Sequence, residues 1–423
     1  MKFSSTTGNG PHISFKDAVL GNLPNDGGLF FPNEIPQLES VFVEQMPSMG
    51  LAEIASKVLL PFCQEDISQS KLEEITQRVF SFPLPIKEVA SGIHCLELFH
   101  GPTYAFKDIG AKFLAECLAH FNENSSKETT VLVATSGDTG GAVANGFLGV
   151  AGVRVIILYP KGKVSQLQEK QLTTLGQNIT ALEVEGNFDD CQNMVKQAFA
   201  DQTVGEHLQL SSANSINIAR WLPQSLFYYV PLQQGFRDVT ISVPSGNYGN
   251  LTSGVLVMKM GVPIAKFIAA SNANDVVPRY LDTGNYDPRP TIPTIANAMD
   301  VSDPSNFKRL LSLFAGSYQD ITIKLLRFAQ SDEEIRATVK QCHAENGYLL
   351  DPHSAIAYEG LRQHNEEGVF LGTAHYCKFL PTMNETLEAA LEVPDFAAEL
   401  MKKEKQSIAM KADYQEFKEF LLA

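Results

Sequence analysis

Short apolar runs that alternate with helical segments are the feature of this chain that most restricts its fold. We predict buried strands in six segments, at 131–134, 153–159, 179–184, 239–243, 267–270 and 369–371. Apolar residues at helical spacing follow from 142, over 164–175 and over 251–260. Strands that alternate with helices predict parallel sheets covered on both faces, an α/β fold. Ligands of such sheets bind beyond the carboxyl ends of the strands.

The chain divides into three predicted parts. Residues 1–88 form an N-terminal region that is mostly helical, with apolar periodicity over 41–60. Residues 89–380 form the α/β region, in which a smaller lobe spans about 110–215 and a larger lobe takes the remainder. Residues 381–423 form a helical C-terminal segment, and its charge run is typical of a solvated helix face.

Composition and charge exclude several classes of partner. Of the 423 residues, 44% are apolar and 19% are charged, which is typical of a globular protein. No apolar run is long enough to cross a membrane and the first residues lack a signal-peptide pattern, so we expect a cytoplasmic location. The net charge of −15 argues against nucleic acid or an anionic membrane as a partner. An anionic ligand would therefore need local hydrogen-bond donors.

The cysteines predict neither a disulfide framework nor a metal site. The chain has Cys63, Cys95, Cys117, Cys191, Cys342 and Cys377, and no two of them form a Cys-x-x-Cys pair. Their spacing is typical of reduced, mostly buried thiols. His375 lies close to Cys377, but no second pair of ligands is nearby, so no metal is expected.

Lys107 is the first candidate for chemistry. It follows a Gly-Pro turn and the apolar Ala105 and Phe106, and apolar residues at helical spacing begin at Ile109. An amine at a helix start among apolar neighbours loses part of its preference for the ammonium form and becomes a better nucleophile. An ordinary solvated lysine beside Asp108 is the alternative interpretation of the same residues.

Two loops between a strand and a helix could bind anions. In the first, Gly246, Asn247, Tyr248, Gly249 and Asn250 follow a strand, so that backbone N–H groups and a helix N-terminus could hold a phosphate. The loop is neither a Walker loop nor a dinucleotide fingerprint, and a simple tight turn would look the same.

The second loop offers hydroxyl groups. Ser136 and Thr139 lie in a glycine-rich stretch after the strand at 131–134, and with the backbone N–H groups they could hold a carboxylate. A plain helix cap is the alternative. Further along the chain, Asn214, Ser215 and Arg220 combine neutral donors with a guanidinium, which suits a phosphate, although a surface arginine beside a capping residue also fits.

Other polar clusters predict structural roles. Asp351 and His353 lie three residues or fewer from Ser354, and this pattern is more typical of a helix cap and a filled core site than of a catalytic group. The chain contains no Gly-x-Ser-x-Gly elbow for a hydrolase triad. Taken together, a lysine amine, a phosphate loop, a carboxylate site and an arginine site at one sheet edge suit an aldehyde cofactor that carries a phosphate and an amino-acid substrate.

The sequence resembles the threonine synthase family, within the pyridoxal-phosphate enzymes of fold type II, over almost its whole length. The most specific match is His100-Gly-Pro-Thr-Tyr-Ala-Phe-Lys-Asp108. The other matching segments are 24–29, 134–140, 158–163, 186–190, 214–217, 244–249, 298–300, 304–306 and 373–375.

The resemblance implies a fold, a cofactor and a reaction. The fold would have two parallel-sheet α/β domains plus the N-terminal region. Lys107 would hold pyridoxal 5'-phosphate as a Schiff base, and the enzyme would convert O-phospho-L-homoserine and water to L-threonine and phosphate. A monomer or a homodimer would fit.

The resemblance also implies the roles of individual residues. Cofactor binding would involve Lys107, Gly246, Asn247, Tyr248, Gly249, Asn250 and Thr373, with the hydroxyl of Thr373 facing the pyridine nitrogen. Substrate binding would involve Thr103, Ser136, Asp138, Thr139, Asn214, Ser215 and Arg220, of which the last three match the segment that takes the substrate phosphate in relatives.

Some positions depart from the family pattern. Relatives usually carry Phe at the position of Tyr248 and Pro-Ala at Tyr376 and Cys377. Two alternatives therefore stay open: a threonine-synthase-like phospho-lyase that releases 2-oxobutyrate, and a non-catalytic protein that binds pyridoxal phosphate.

Overall fold

Two large sheets carry the loops that were predicted to bind a ligand. A computed structural model describes residues 1–123 and 127–423 of the chain. Its strands are β1 (Phe3–Ser5), β2 (Phe30–Pro32), β3 (Ile86–Ala90), β4 (Ile93–Glu97), β5 (Thr129–Ala134), β6 (Val153–Pro160), β7 (Ile179–Glu185), β8 (Gln209–Ser212), β9 (Val239–Pro244), β10 (Ile264–Ser271), β11 (Leu325–Ala329), β12 (Gly368–Gly372) and β13 (Ile408–Lys411).

Helices connect and cover these strands. The α-helices are α1 (Phe15–Gly21), α2 (Ser40–Gln45), α3 (Leu51–Cys63), α4 (Gln69–Val79), α5 (Lys107–Asn122), α6 (Asp138–Phe147), α7 (Gln166–Thr173), α8 (Phe188–Ala200), α9 (Gln202–His207), α10 (Ile218–Trp221), α11 (Tyr229–Gln233), α12 (Gly249–Lys259), α13 (Val276–Thr283), α14 (Phe307–Leu313), α15 (Tyr318–Lys324), α16 (Asp332–Asn346), α17 (Pro352–Gln363), α18 (Leu380–Leu387), α19 (Asp395–Lys402) and α20 (Tyr414–Leu422). Short 3₁₀ turns occur at Met46–Ser48, Leu222–Tyr228, Asn297–Met299 and Tyr376–Phe379.

The larger sheet has the strand order β11-β10-β9-β12-β4-β3. All neighbouring pairs in it are parallel except β3 and β4, which form an antiparallel pair at one edge. The smaller sheet has the order β13-β7-β6-β5-β8, and every pair in it is parallel. The predicted parallel α/β architecture is therefore present, and each of the six predicted strands overlaps an observed one.

The sequence analysis missed several strands. Strands β8 and β11 are short and partly polar, so they lack a strong apolar run, and β3 is mostly exposed because it lies at a sheet edge. The C-terminal segment was predicted to be helical, and this is wrong at β13. That strand pairs with β7, so the last part of the chain completes the smaller sheet. The domain bounds 1–88, 89–380 and 381–423 stay a prediction.

The N-terminal region contains a short antiparallel pair of strands, β1 and β2, beside its helices. The helix predicted over 41–60 is interrupted between α2 and α3. Pro47 lies in the intervening 3₁₀ turn, and Gly50 caps α3 in an extended conformation, so the helical hydrogen-bond pattern cannot continue through them.

Glycine is required at one position in the middle of the larger sheet. We predict that Gly368→Ala lowers the free energy of unfolding by about 1–3 kcal/mol, because the added carbon would lie 2.1 Å from the backbone oxygen of Thr240 on the neighbouring strand. Thermal unfolding measures this. Gly50→Ala is the matched control, since nothing lies within 4 Å of the added carbon and φ is −72° there. Equal melting temperatures for the two variants would contradict the prediction.

Candidate active site

Lys107 is the first residue of α5, as predicted, and its loop is tied to the loop that follows β12. The N–H of Phe106 donates to the oxygen of Thr373 at 2.9 Å, and the N–H of His375 donates to the oxygen of Tyr104 at 3.1 Å. These hydrogen bonds connect the ends of two neighbouring strands of the larger sheet, β4 and β12. The lysine is thereby fixed next to Thr373.

The amine of Lys107 is in an environment that favours its neutral form. Burial lowers its pKa, the charges of Arg220 and Lys378 lower it further, and the carboxylate of Asp138 opposes them. The side chain is half-buried, and its Nζ lies 6.0 Å from the ring centre of Phe106. The predicted gain in nucleophilic character is therefore supported, and the alternative of a fully solvated lysine is not.

The loop after β9 leads into α12 through a left-handed residue. Tyr248 has φ of 58°, and its hydroxyl is hydrogen-bonded to Ser271 at 2.6 Å. Asn247 accepts from the N–H of Ser305 at 2.6 Å and donates to Ser215 at 2.7 Å. The first N–H groups of α12 point towards the loop side, as at any helix start. This arrangement offers backbone N–H groups of a helix start, and its role as an anion-binding turn stays a prediction.

A buried donor remains available in this turn. The Nδ2 of Asn250 is buried and has no hydrogen-bond partner among the described residues. Its Oδ1 lies 2.9 Å from the hydroxyl of Tyr228, which lies at the same distance from the backbone oxygen of Asn250. An unpaired buried donor is costly unless a ligand accepts from it.

A short strap (296–300) covers the turn before α12. A carbon added at Gly246 would lie 2.6 Å from the Cα of Met299, so only glycine allows the strap to pass so closely. The N–H of Ala298 donates to Nε2 of His353 at 3.2 Å, and Nδ1 of His353 is hydrogen-bonded to Asp351 at 2.7 Å. Asp351 also caps α17, so the predicted capping and core roles of this cluster are confirmed.

The loop after β5 is arranged around the hydroxyl of Thr135. This oxygen accepts from the N–H groups of Gly137 at 3.0 Å and Gly140 at 2.8 Å. The side chains of Ser136 and Thr139 are half-buried and make no side-chain hydrogen bond within the described part of the protein. Two hydroxyls at the start of α6 are therefore available to an anion.

The carboxylate of Asp138 is used inside the protein. Its Oδ1 pairs with Nζ of Lys378 at 2.9 Å and accepts from Nε2 of Gln168 at 2.9 Å. Burial alone would raise the pKa of Asp138, but the ammonium groups of Lys378 and Lys107 outweigh it and hold the pKa below its usual range. Asp138 thus belongs to the site electrostatically, and its Oδ1 is engaged inside the protein.

Thr103 is also used internally. Its N–H donates to Asp108 at 2.8 Å, its hydroxyl donates to the same carboxylate, and its oxygen accepts from Lys378 at 2.8 Å and Gln171 at 2.9 Å. The predicted substrate-binding side chain therefore acts as a support of the lysine loop. In contrast, the hydroxyl of Thr373 makes no hydrogen bond among the described residues, while its backbone N–H donates to Ser354 at 3.4 Å.

The segment from Asn214 to Arg220 lies between the two sheets. Its helix, α10, begins at Ile218, and Asn217 is the capping residue. Arg220 is 3% exposed, donates to the oxygen of Ala213, and has a buried Nε without a partner. Burial lowers its pKa to about 10, and Asp108 opposes the shift. A buried guanidinium with an unpaired donor fits an anionic ligand.

These groups form one site. Ser215 from the smaller sheet meets Asn247 from the larger one, and Asp138 meets Lys378 across the same gap. The available donors are the amine of Lys107, the turn before α12, two hydroxyls before α6 and a buried guanidinium. That donor set fits a phosphate-bearing aldehyde together with a second anion. Among the described residues, no group of three or more His, Cys, Asp or Glu side chains is placed to hold a metal ion.

Sequence reasoning missed two buried cations in this region. Lys378 lies in the loop after β12, where only His375 and Cys377 were considered. Arg309 is on α14, and its donors go to the oxygens of Phe30, Ser215 and Ile216 and to Asn306. The match at 304–306 was the one signal near Arg309, and no local pattern distinguishes a buried lysine from an exposed one.

The chain is similar to known proteins over its full length. Residues 78–374 match the family described as pyridoxal-phosphate dependent enzyme. Residues 2–80 match threonine synthase N terminus, and residues 354–421 match threonine synthase, C-terminal. The threonine synthase of Serratia marcescens is 42% identical over 429 residues, covering 100% of this chain and 99% of that protein.

Solved structures show the same likeness. The crystal structure of threonine synthase from Escherichia coli superimposes with a TM-score of 0.92 at 41% identity, covering 100% of this chain and 99% of that one. The crystal structure of threonine synthase from Brucella melitensis with bound pyridoxal phosphate superimposes with a TM-score of 0.94 at 33% identity, and the coverage of both chains is the same. The predicted fold class is thereby confirmed.

One group near the site should make stability depend on pH. Burial lowers the pKa of His375 from 6.5 to about 4, although Asp351 opposes the shift. The unfolded chain therefore binds the extra proton first as the pH falls below 6.5, and we predict a loss of up to about 3 kcal/mol of folding stability down to about pH 4.

His375→Asn provides the comparison. The ring nitrogen Nδ1 accepts from the N–H of Cys377 at 3.3 Å, and an asparagine oxygen can accept the same bond without titrating. Urea unfolding at pH 7.5 and pH 4.5 should show a smaller loss in the variant. Parallel losses in the two proteins would show that another group is responsible.

Proposed function

The chain belongs to the threonine synthase family of pyridoxal-phosphate-dependent enzymes, and from this membership we propose how its residues share the reaction. Its activity is that of a threonine synthase, a pyridoxal-phosphate-dependent lyase that acts on a small molecule. We propose that the substrate is O-phospho-L-homoserine, which reacts with water to give L-threonine and phosphate. The observation that carries the proposal is the half-buried amine of Lys107, with its pKa lowered, at a site that also holds Arg220, Lys378 and Asp138.

The residues fit pyridoxal phosphate. Lys107 would hold the aldehyde carbon through Nζ, the turn from Gly246 to Asn250 would hold the phosphate, and Thr373 would face the ring nitrogen. The unpaired Nδ2 of Asn250 supports the phosphate assignment, because it needs an acceptor. When bound, the cofactor supplies an electron-withdrawing ring that stabilises negative charge at the substrate's α-carbon.

Lys107 would also move protons. Because its pKa is lowered, Nζ is more often neutral than in an ordinary lysine, so it can accept the proton from the substrate's α-carbon and return one later. A hydroxyl at Thr373 would leave the ring nitrogen without the permanent proton that a carboxylate partner would enforce.

The two anionic ends of the substrate would bind to different lobes. We assign the carboxylate to the hydroxyls of Ser136 and Thr139 and to the start of α6, where the helix dipole favours an anion. We assign the phosphate to Asn214, Ser215 and Arg220, and the unpaired Nε of Arg220 supports this. These local donors offset the net charge of −15, which would otherwise repel a dianionic substrate.

Holding both ends of the substrate would also determine the product. If the reacting molecule left before water added at its β-carbon, hydrolysis would give 2-oxobutyrate. The loop that we assign to the carboxylate would keep the reacting molecule in place after phosphate has left, and the loops of both lobes would exclude bulk water from it. Threonine and phosphate in equal amounts, with little 2-oxobutyrate, are therefore the products expected from purified protein.

The state of the cysteines supports a proposal about the location of the protein. All six cysteines are free and buried, which supports a cytoplasmic location, because reducing compartments keep such thiols unpaired. Among the described residues no helix is long and apolar enough to cross a membrane. A monomer or homodimer stays a prediction.

We predict that Lys107→Ala abolishes both the visible absorbance of the protein with pyridoxal phosphate and phosphate release from O-phospho-L-homoserine, because no other amine would hold the cofactor. Absorbance spectra and a phosphate-release assay measure these. Lys112→Ala, on the same helix, is the matched control, since Lys112 pairs with Glu116 at the surface. If the band persisted in Lys107→Ala, the assignment of this residue would be wrong.

We predict that Arg220→Ala raises KM for O-phospho-L-homoserine by roughly tenfold or more, the equivalent of one lost charge-assisted hydrogen bond, and changes the affinity for pyridoxal phosphate by much less. Steady-state kinetics and cofactor titration separate the two effects. Arg237→Ala is the control, because Arg237 donates only to nearby backbone oxygens away from the site. An equal loss of both affinities would place Arg220 outside the substrate's phosphate site.

A further inference from the structure

We propose that Lys378 is a positioning residue of the active site, which neutralises Asp138 and holds the lysine loop against the smaller lobe. This inference rests on the proposed function of Lys107. It assigns a task to a buried cation that the reaction itself does not use, and it removes Asp138 from the groups that touch the substrate.

Lys378 connects three elements. Its side chain is completely buried, and Nζ contacts Oδ1 of Asp138 at 2.9 Å, the oxygen of Thr103 at 2.8 Å and Oε1 of Gln171 at 2.9 Å. Asp138 starts α6, Thr103 lies in the loop before Lys107, and Gln171 is on α7. All three protons of the ammonium group therefore have acceptors, and they come from both lobes.

The same network supports the residue beside Lys107. Thr103 binds the carboxylate of Asp108 through its N–H and its hydroxyl, and its remaining polar atom, the oxygen, is held by Lys378 and Gln171. Asp108 is the second residue of α5. Replacing Lys378 would thus affect the start of α5 through Thr103, which contacts both Lys378 and Asp108.

The ion pair of Lys378 and Asp138 also has an electrostatic role. The carboxylate of Asp138 lies at the start of α6, close to the hydroxyls that we assign to the substrate carboxylate. An unpaired anion at that place would repel the substrate. A buried ammonium 2.9 Å away cancels the charge, and because the pair is buried, solvent screens it only weakly.

Four charged groups surround the amine of Lys107. Asp138, Arg220 and Lys378 act on its pKa directly, and Asp108 is its neighbour in the chain. Asp138 raises the pKa of Lys107, whereas Lys378 and Arg220 lower it. Removing one member of the pair therefore has an effect opposite in sign to removing the other. A purely structural role would produce no such opposition.

The test uses Lys378→Met, Asp138→Asn and the double variant in the full chain freed of cofactor. The pH dependence of the labelling rate of Lys107 by trinitrobenzenesulfonate, followed by peptide mass spectrometry, gives the pKa of its amine. We expect Lys378→Met to raise this pKa by about one pH unit, Asp138→Asn to lower it by a similar amount, and the double variant to lie between them. Lys405→Met is the matched control: Lys405 pairs with Glu169 and Glu183 at 2.7 Å, partly on the same helix α7, but does not contact the lysine loop.

Kinetics of the holoenzyme give the second readout. Lys378→Met should raise KM for O-phospho-L-homoserine by roughly tenfold or more, and the double variant should recover part of that loss, because the uncompensated anion is gone. Shifts of the same sign in the two single variants, or a double variant no better than Lys378→Met, would overturn the proposal. If Lys378→Met does not fold, the test rests on Asp138→Asn, in which the pKa of the Lys107 amine should fall; an unchanged or higher pKa would overturn the proposal.

The outcome is separate from that of the proposed function. The labelling rates are measured without cofactor or substrate, so they test the charge balance alone. If Lys107→Ala kept its absorbance band while the opposite shifts were observed, the proposed function would fail and the ion-pair effect on Lys107 would stand.

Discussion

Two parallel sheets place the carboxyl ends of their strands towards each other, and each group of the active site depends on this arrangement. Lys107 and Thr373 come from neighbouring strands of the larger sheet and are joined by the hydrogen bond between Phe106 and Thr373. The smaller sheet brings Asp138 and Ser215 to the opposite side. Because strand ends in a parallel sheet meet at one edge, loops distant in the sequence converge without any long connection of their own.

The site concentrates positive charge in a protein that is strongly negative overall. Two of the buried cations have a nearby carboxylate: Asp138 compensates Lys378, and Asp108 partly compensates Arg220. Burial makes each balance matter, because few water molecules screen the charges. The balance leaves the amine of Lys107 weakly basic and still leaves a guanidinium donor for an anion. The substrate that we propose, a doubly anionic amino acid, requires both properties.

The N-terminal region is hydrogen-bonded to residues that support the site. Lys308 donates to the oxygen of Gly27 at 2.6 Å, and Arg309 donates to the oxygen of Phe30 while it also holds the backbone at Ser215. Nδ2 of Asn217 donates to the backbone oxygen of Val19 at 3.0 Å. The segment that we assign to the substrate phosphate is therefore supported by residues far away in the sequence, and its geometry depends on the packing of the N-terminal region.

Local sequence patterns predict the alternation of strands and helices, the loops at the strand ends, the helix start at Lys107 and the family. Only the packing of distant elements shows that β13 joins the smaller sheet, and that Oδ1 of Asp138 and the backbone oxygen of Thr103 both bond to Lys378. The physical reason is that burial and charge pairing depend on which elements pack together. Oδ1 of Asp138 and Nζ of Lys378 are 2.9 Å apart, but the sequence around either residue does not predict this contact.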